Sequence, residues 1–312
     1  MLEYPVDLAV EAARIVKRAT GFGVNSVHPI LSGYMTFKLT VTTDAGSDYI
    51  VRIYPKGREH IARFEPGLLI RLHDMGAAVP KVLCWSDTDP ALPYLVYEKI
   101  AGDSLDRRLH HISMTELERV CLQMSEQLKI LSELSVEGYG ELLDAKHAGH
   151  TSWCDFIAEV VAAPISAVST DRTLLVEART ALQSLTKRPA ADVMRSLVWT
   201  DISPENIIVD ADNRFAGLID FEGTMALEPE ATLGYLEARY YETPFHLLCR
   251  KVMPIESDRR YLPAFYAVVR ALRLQPYLPG ALPAGGSRDP LDKFLPGLEY
   301  ACRQVIEWGE AH

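Results

Sequence analysis

Residues 197–224 read LVWTDISPENIIVDADNRFAGLIDFEGT, and this stretch decides how the chain is interpreted. Asp201 stands five residues before Asn206, and Asp220 follows in the triplet Ile-Asp-Phe. Between Asn206 and Asp220, two short apolar segments joined by Ala-Asp-Asn predict a β-hairpin. Such a hairpin would return the chain so that Asp220 lies opposite Asn206.

The three polar side chains of this stretch suit phosphoryl transfer. That reaction needs a carboxylate that orients the attacking hydroxyl and receives its proton, and hard oxygen ligands that hold Mg²⁺ against phosphates. Asp201 fits the first role, and Asn206 and Asp220 fit the second. We therefore predict Asp201 as the catalytic residue and Asn206 and Asp220 as metal ligands.

The combination of D-x-x-x-x-N, a short hairpin and I-D-F resembles the catalytic and metal-binding loops of the aminoglycoside phosphotransferase/choline kinase branch of the protein-kinase-like fold. Residues 201–206 match the catalytic loop and residues 219–221 match the metal loop. A single short motif matches many sequences by chance, whereas three features at the right spacing are specific. The resemblance covers roughly residues 25–240. It implies ATP or GTP and Mg²⁺ as cofactors, with a small-molecule hydroxyl as acceptor.

A cation on the third strand, paired with a glutamate on the next helix, is the second feature that the resemblance implies. Arg52 in YIVRIYP stands where the family places the cation that holds the α- and β-phosphates, and an arginine can bind phosphate or carboxylate with two hydrogen bonds. Glu65 stands at the expected helix position. Glu59 remains an alternative partner, because Pro66 makes the helical placement of Glu65 uncertain.

The loop that would cover the phosphates falls within residues 31–41 (LSGYMTFKLTV). It contains Gly33 but lacks the G-x-G-x-x-G pattern of protein kinases. The resembled branch often has a reduced loop in which backbone N–H groups and a small hydroxyl contact the nucleotide. Ser32, Gly33 and Thr36 are therefore the candidates, with an ordinary hairpin turn as the alternative interpretation.

The segment YLVYEKIAGDSL, residues 94–105, resembles the hinge between the two lobes of this fold. In that position, the backbone atoms of Glu98 and Ile100 would contact the adenine. Their side chains are not expected to contribute to nucleotide binding.

Three positions depart from the family pattern. The family commonly has His-Gly-Asp where this chain has Trp199-Thr200-Asp201, and Ser203 replaces a second histidine. Thr232 stands where a D-P-x-x-D motif would supply a carboxylate that supports the catalytic loop, so another group has to support it. These departures leave a nucleotide-binding pseudokinase open as an alternative to an active enzyme.

The acceptor of kinases of this kind binds beyond the metal loop, which here leads into residues 222–242. This stretch is rich in acidic and aromatic residues, a combination that suits a cationic or sugar-bearing ligand, although a solvated helix face would look similar. Glu222, Glu230 and Tyr235 are the candidate substrate residues. We expect the substrate to be an antibiotic or related natural product, with choline, a methylthio-sugar or an amino alcohol as the alternatives. No A-P-E element follows I-D-F, which argues against a protein kinase.

The pattern of apolar residues predicts an α+β protein with a small β-rich lobe followed by a mainly helical lobe, and the resemblance implies that these lobes form the bilobal protein-kinase-like fold. Residues 1–100 would form a small, β-rich nucleotide-binding lobe, and residues 101–312 a larger, mainly helical lobe for catalysis and substrate binding. Strands are predicted at 35–43, 48–55, 81–87, 93–99, 196–199, 206–210 and 214–220. Helices are predicted at 6–19, 57–75, 114–135, 151–162, 171–186, 229–242, 257–273 and 291–308.

Composition excludes several other classes of protein. The 312 residues carry a formal net charge of −10 without a Lys/Arg cluster, so we expect no nucleic-acid partner. The five cysteines are widely spaced and form no C-x-x-C motif, which suits a reducing compartment. The sequence has neither a signal-peptide pattern near residue 1 nor an apolar run long enough to span a bilayer. We therefore expect a cytoplasmic protein without a membrane partner, either a monomer or a homodimer.

Overall fold

A computed structural model describes residues 7–31, 36–88, 93–165, 172–185, 193–274 and 296–311. It confirms the predicted α+β fold, with β-strands dominating the first hundred residues and helices the remainder. Within the described part of the chain, no helix combines the length and apolar character needed to cross a membrane. The elements of the N-terminal region are α1 Asp7–Thr20, β1 Val24–Ile30, β2 Phe37–Thr43, β3 Asp48–Ile53, α2 Glu59–Asp74, β4 Val82–Ser86 and β5 Tyr94–Glu98.

The C-terminal region contains three groups of short strands between longer helices. Its elements are β6 Asp103–Ser104, α3 Leu105–Arg108, α4 Met114–Glu133, β7 Tyr139–Leu142, β8 Ala148–His150, α5 Trp153–Ala162, α6 Arg172–Leu185, β9 Ser196–Trp199, β10 Ile207–Val209, β11 Phe215–Leu218, β12 Thr224–Leu227, α7 Ala231–Tyr240, α8 Pro244–Val252, α9 Leu262–Leu274 and α10 Leu298–Ala311.

The N-terminal sheet is antiparallel, with the strand order β1-β2-β3-β5-β4. Its four predicted strands are present with ends shifted by one or two residues. β1 was not predicted, because its sequence VNSVHPI mixes polar residues among the apolar ones and no position of the strand is fully buried. A proline within the run also weakens the strand signal.

The alternation of side chains along β3 gives the sheet two different faces. Val51 and Ile53 belong to a hydrophobic cluster with residues of α1. Ile50 points to the other face, where it joins the cluster that contains the buried residues of α2. Because successive side chains of a strand alternate, Arg52 shares the α2 face with Ile50.

Pro66 lies inside α2 rather than at its start. The helix runs from Glu59 to Asp74, so the proline occupies its second turn. Proline cannot donate the hydrogen bond to the carbonyl four residues earlier, yet the chain on both sides of it remains helical. The buried face of α2 includes Glu65, Leu68 and Leu69, and packing of that face stabilises the helix across the proline.

The two lobes share one hydrophobic cluster. It contains Leu68 of α2, Leu95 of β5, Leu131 of α4 and Leu233 of α7, all of them buried. At the crossing between the lobes, Gly102 has φ +131°, and a Cβ atom there would overlap the carbonyl oxygen of Val209. Side chains other than glycine rarely adopt that backbone conformation. The shared cluster unites both halves of the chain, and the assignment of separate roles to residues 1–100 and 101–312 stays a prediction.

Two described helices of the C-terminal lobe, the short α3 and α8, were not among the predicted ones. A run predicted at 229–242 is α7, but α8 was not predicted. Its start carries an N-cap signal, because the Thr243 hydroxyl accepts a hydrogen bond from the backbone N–H of His246 and Pro244 occupies the first turn. The predicted helix at 257–273 is divided into a 3₁₀ turn at Ser257–Arg259 and α9. Part of the helix predicted at 291–308 lies outside the described residues.

Truncation of a leucine in the shared cluster is expected to destabilise the whole protein. Leu131→Ala on α4 removes a side chain that is 1% exposed, and a core change of this kind costs about 2–5 kcal/mol of unfolding free energy. Leu122→Ala on the same helix removes a side chain that is 47% exposed and should change the free energy by less than about 0.5 kcal/mol. Urea denaturation followed by circular dichroism compares the two variants, and equal unfolding free energies would contradict the shared core.

Candidate active site

Backbone hydrogen bonds bring the two predicted loops together. β9 pairs with β12, and beyond this pairing the Thr200 N–H donates to the carbonyl of Gly223 at 3.2 Å. On the hairpin side, the Ile219 N–H donates to the carbonyl of Asn206 at 3.0 Å. A Cβ on Gly223 would lie only 3.0 Å from the Cβ of Asp201, so glycine permits this close approach. The segments around Asp201 and Asp220 are therefore fixed side by side, as the hairpin predicted.

The side chain of Asn206 closes the catalytic loop. Its Nδ2 donates to the backbone carbonyl of Asp201 at 3.0 Å and approaches the Oδ2 of the same residue at 3.5 Å. This orientation of the amide leaves Oδ1 as the atom that can face a cation. Asp201 remains a quarter exposed, so its carboxylate is accessible from the cleft.

Asp220 adopts a left-handed backbone conformation, with φ 66° and ψ 72°. Residues other than glycine are held in this region only where the surroundings fix them, and such residues cluster at functional sites. The fixing group here is Trp199, whose Nε1 donates to the Asp220 carbonyl at 2.9 Å. The Trp199 ring stacks on Phe221 with ring centroids 5.7 Å apart. Trp199 thus supports the Ile-Asp-Phe loop in the place where the family pattern has a histidine.

Two cations contact the carboxylate of Asp220. Lys38 Nζ lies 2.6 Å from Oδ2, and Arg52 Nη2 lies 2.8 Å from Oδ1. Burial would raise the pKa of Asp220, but the charges of Arg52 and Lys38 outweigh it and hold the pKa well below its usual range. The carboxylate is therefore ionised at neutral pH.

Lys38 was missed by the sequence analysis. It lies on β2 directly across from Arg52 on β3, and cross-strand neighbours present their side chains on the same face. The alternation of apolar residues in FKLTVTT could have placed Lys38 on one face of β2. The register with β3, which makes it a neighbour of Arg52, exists only in the folded sheet.

Arg52 is buried and contacts four side chains. Its guanidinium donates to Glu65 Oε1 at 2.6 Å, to Thr36 Oγ1 at 3.2 Å and to Glu222, in addition to Asp220. Burial would lower the pKa of Arg52, but the surrounding carboxylates outweigh it and raise the pKa well above its usual value. The guanidinium is thus a fixed positive charge.

Glu65 is the helix partner of this arginine, as the sequence analysis expected in preference to Glu59. Its second oxygen accepts a hydrogen bond from the Tyr54 hydroxyl at 2.6 Å. Burial raises the pKa of Glu65 despite the charge of Arg52. Glu59 instead accepts a hydrogen bond from the backbone N–H of Gly57 at 2.8 Å and is partly buried.

Glu222 contacts the cations of the N-terminal lobe rather than the side chains around Tyr235. It pairs with Arg52 and lies 3.3 Å from Arg58 Nη2. The expectation that Glu222 touches the acceptor therefore has no support in its contacts. The physical reason is the 3₁₀ turn Phe221–Gly223, which places the side chain beside Asp220 against β3 and α2.

The remaining nucleotide candidates are only partly described. Ser32 and Gly33 lie outside the described residues. Thr36 is buried, and its hydroxyl accepts a hydrogen bond from Arg52. At the end of β5, the Glu98 side chain is half exposed and pairs with Lys81, while its backbone N–H donates to the Lys81 carbonyl at 2.9 Å.

Ile100 follows at the crossing between the lobes. A Cβ added to Gly217 of β11 would lie 2.7 Å from Ile100 Cδ1, so the side chain of Ile100 packs closely against the hairpin. The backbone of this crossing is the segment expected to contact the adenine.

Glu230 and Tyr235 are the other two acceptor candidates. Glu230 is bound by another side chain of the protein, whereas Tyr235 lies near the loop that carries Asp201. Both oxygens of Glu230 accept hydrogen bonds from Arg259, at 2.6 and 2.8 Å, so this carboxylate is already satisfied within the protein. Tyr235 instead accepts a hydrogen bond from Arg239 Nη1 at 2.6 Å, and its ring lies under the Arg270 guanidinium at 4.8 Å.

Arg270 connects α9 to the catalytic loop and carries no sequence motif. Its Nη1 donates to Thr200 Oγ1 at 3.0 Å, and its Nη2 lies 3.4 Å from Asp201 Oδ1. Thr232, the residue at the position of the missing carboxylate, is buried. A cation from a later helix thus contacts the loop that this carboxylate was expected to support.

Ser203, the other departure from the family pattern, is also buried. Its hydroxyl accepts a hydrogen bond from the Glu205 N–H at 3.2 Å and lies 2.9 Å from the Tyr240 hydroxyl. The serine therefore caps the 3₁₀ turn that ends at Asn206 and fixes the shape of the loop.

The donor set around Asp220 fits Mg²⁺. Mg²⁺ usually takes one or two protein oxygens and completes its shell with water and phosphate oxygens. The Asp220 carboxylate and the Asn206 amide oxygen are hard donors of this kind, and the ionised Asp220 already faces positive charge. Among the described residues, no cluster of three or more His, Cys, Asp or Glu side chains could hold a metal without such help. The site therefore suits a metal ion that arrives with phosphates.

Solved structures with the same fold are aminoglycoside kinases and a related sugar kinase. A thermostable mutant of aminoglycoside phosphotransferase APH(4)-Ia, in complex with AMP-PNP and hygromycin B, is 16% identical, with a TM-score of 0.71 over 97% of this chain and 100% of that chain. The GDP and kanamycin complex of APH(2")-IIia is 15% identical, with a TM-score of 0.65 over 97% and 99%. A proposed fructosamine-3-kinase from Haemophilus somnus 129PT is 13% identical, with a TM-score of 0.61 over 96% and 99%. These likenesses confirm the kinase-like fold.

The sequence itself matches a family model. No curated protein matches the chain significantly in sequence. The model of the phosphotransferase enzyme family, by contrast, matches residues 26–243, which is more than half of the chain and includes both predicted loops. The chain therefore belongs to the phosphotransferase enzyme family (APH) and is a small-molecule phosphotransferase with a hydroxyl group as acceptor.

Proposed function

We propose that this protein transfers the γ-phosphate of ATP, with Mg²⁺, to a hydroxyl group of an antibiotic or related natural product. The observation that carries this proposal is that two loops, which carry Asp201 with Asn206 and Asp220, are held together and are contacted by cations of β2 and β3. Asp201 lies on one side with Asn206 at its backbone, and Asp220 lies opposite with Arg52 and Lys38 at its carboxylate. A general base, metal ligands and phosphate-binding cations are the groups that phosphoryl transfer requires.

Asp201 is the proposed base. Its carboxylate would accept a hydrogen bond from the acceptor hydroxyl and orient that oxygen toward the γ-phosphorus. As the new O–P bond forms, the bond from the γ-phosphorus to the β–γ bridging oxygen breaks, ADP leaves, and the hydroxyl proton remains on Asp201. Asn206 holds the backbone of this loop, so the carboxylate is fixed before the acceptor arrives.

Arg52 and Lys38 are the proposed phosphate-binding cations. They share one face of the N-terminal sheet and point at the segment that carries Asp220. Fixed positive charges aimed at phosphate oxygens stabilise the charge that develops on the leaving group. Bound at Asn206 and Asp220, Mg²⁺ would neutralise phosphate charge. The ion pair with Glu65 holds the Arg52 guanidinium in the position from which it reaches Asp220.

The choice of an antibiotic acceptor is supported by the structural relatives. APH(4)-Ia is described with hygromycin B and APH(2")-IIia with kanamycin. The proposed fructosamine-3-kinase favours a second candidate, a metabolic kinase that acts on a sugar derivative. Both candidates use the same reaction, and they differ only in the acceptor.

Replacement of the proposed base should abolish turnover without preventing nucleotide binding. Asp201→Asn removes the proton acceptor, and loss of a general base lowers kcat by about 10²–10⁴-fold. Asp212→Asn, in the exposed hairpin turn, is the matched control and should retain full kcat. ADP release measured with a coupled assay gives kcat, and titration with AMP-PNP gives the affinity. An Asp201→Asn protein with full activity would exclude this residue as the base.

Loss of the second cation should weaken nucleotide binding. Lys38→Met removes a charge-assisted contact to phosphate, which is worth about 1.5–3 kcal/mol and corresponds to an increase in Kd for AMP-PNP of roughly 10–100-fold. Lys251→Met changes an exposed lysine of α8 in the same way and should leave Kd unchanged. Calorimetric titration in the presence of Mg²⁺ measures both variants. Equal Kd values for wild type and Lys38→Met would place Lys38 outside the nucleotide site.

Nucleotide binding should stabilise the protein only when Mg²⁺ is present. A ligand at 100 times its Kd adds about 2.7 kcal/mol to the free energy of unfolding, which raises Tm measurably. AMP-PNP with Mg²⁺ should therefore raise Tm in a thermal melt, and EDTA should remove most of the increase. The variant Asp220→Asn should lose the Mg²⁺-dependent part of the shift. Stabilisation of equal size with and without Mg²⁺ would contradict the proposed metal ligands.

A further inference from the structure

Three arginines lie around Tyr235, and one of them, Arg270, contacts Asp201. Arg270 and Arg273 lie one turn apart on α9 and line a small cavity together with Thr200 and Tyr235. Arg239 on α7 reaches the same place from the other side, because it donates to the Tyr235 hydroxyl at 2.6 Å. The position next to the proposed base is thus lined by positive charge and an aromatic ring.

The arginines are the inner members of their ion pairs. Arg239 pairs at 3.2 Å with Glu205, whose side chain is 58% exposed, and Arg273 pairs with Glu141, whose side chain is 55% exposed. Ion pairs with solvent-exposed carboxylates contribute little free energy, so a ligand can replace the carboxylate at small cost. The third partner is Asp201 itself, 3.4 Å from Arg270.

Arg270 also has unused hydrogen-bonding capacity. Its Nε is buried and has no hydrogen-bond partner among the described residues. A guanidinium presents its N–H groups as a planar fork that matches the two oxygens of a carboxylate or phosphate. The central carbon of the Arg270 guanidinium lies 4.8 Å from the centroid of the Tyr235 ring, and this cation–π contact helps to hold the guanidinium in place.

Tyr235, which lines this cavity, and the neighbouring Tyr240 are neutral. Burial raises the pKa of Tyr235 well above its usual value, and burial raises the pKa of Tyr240 to about 12. Both rings also lie beneath the Arg239 guanidinium, with centroids 5.8 and 5.3 Å from its central carbon. The phenol groups therefore add no negative charge that could attract a cation at neutral pH.

Three of the acidic residues in the stretch 222–242, which suggested a cationic ligand, are held by other groups of the protein. Glu230 is bound by Arg259 through both oxygens, and Glu222 pairs with Arg52 and Arg58. Glu237 is buried and lies 3.3 Å from His246 and 3.4 Å from Arg250. None of these three carboxylates is paired with the arginines that line the cavity.

We propose that the acceptor carries an anionic group, a carboxylate or a phosphate, in addition to the hydroxyl that is phosphorylated. The anion binds Arg270, with Arg239 and Arg273 as the flanking charges. This inference rests on the proposed function, because it places the acceptor hydroxyl at Asp201. An amine in the same position is disfavoured by like-charge repulsion.

The closeness of Arg270 to Asp201 also affects which acceptors can react. Its guanidinium is 3.4 Å from the Asp201 carboxylate. An anionic group that binds Arg270 competes for this cation and leaves the Asp201 oxygen available to the hydroxyl. A neutral acceptor brings no such competitor, so the pair between Arg270 and Asp201 persists and the base is less available. Arg270 is therefore a specificity-determining residue.

The test uses two series of related acceptors whose members differ in charge. Glycerol, serinol, glycerate and glycerol 3-phosphate form one series, and glucose, glucosamine, glucuronate and glucose 6-phosphate form another. ADP release is measured with Mg²⁺ and ATP, and thermal stabilisation of the complex with Mg²⁺ and AMP-PNP detects binding without turnover. We expect the carboxylate or phosphate member of a series to have a kcat/KM about tenfold or more above that of the neutral and amine members. In the thermal melt, we expect the same member to give the largest increase in Tm. The carboxylate and phosphate arms separate the two kinds of anion.

Variants of Arg270 make the test specific. In Arg270→Gln, the preference for the anionic over the neutral acceptor should fall at least about tenfold, whereas Arg270→Lys should retain part of it because the charge remains. Arg303→Gln neutralises an exposed arginine of α10 and should leave the preference unchanged. If Arg270→Gln does not fold, Arg239→Gln and Arg270→Lys carry the comparison.

The outcomes separate this inference from the proposed function. A protein that binds nucleotide with Mg²⁺ but prefers glucosamine, kanamycin or choline overturns the anionic acceptor and leaves the kinase assignment in place. The same conclusion follows if no anionic member binds or reacts at millimolar concentration. Failure to bind ATP and Mg²⁺ at all overturns both proposals.

Discussion

The buried guanidinium of Arg52 is the charge on which the rest of the structure depends. A charge without solvent has to be compensated by partners, since an unpaired buried ion costs several kcal/mol. Glu65 from α2, Thr36 from the start of β2, and Asp220 and Glu222 from the Ile-Asp-Phe loop supply that compensation. The same contacts join the sheet, the helix and the C-terminal lobe, so compensation of one charge fixes the two walls of the cleft.

This arrangement explains why α2 continues through Pro66. The carboxylate of Glu65 has to reach Arg52, and the helix that carries it is buried along one face. The hydrogen bond lost at the proline is a smaller cost than the loss of that buried face would be. Trp199 has a comparable structural role on the other wall, where its indole holds the backbone of Asp220. Pro66 is unusual inside a helix, and Trp199 departs from the family pattern. The segments that carry these two residues nevertheless support the site.

The surroundings of Asp201, where we propose that the acceptor binds, differ in character from those of Asp220, where we propose that the nucleotide binds. Around Asp220, carboxylates and cations are paired inside the protein. Around Asp201, the arginines are the inner partners, and exposed glutamates satisfy two of them. Because the buried partner near Asp201 is the positively charged arginine, an anion is the kind of molecule that can displace the exposed glutamate. It makes local charge, rather than the net charge of −10, the relevant quantity for the acceptor.

The sequence by itself determined the kinase-like fold, the family and the positions of the three side chains that define the proposed chemistry. It could do so because Asp201, Asn206 and Asp220 lie within twenty residues, where local spacing and hairpin geometry settle their relation. Only the tertiary structure decided that Lys38 lies beside Arg52 and that Arg270 contacts Asp201. These contacts depend on strand register and on the packing of α9 against the catalytic loop, and no local pattern encodes contacts between residues so far apart along the chain.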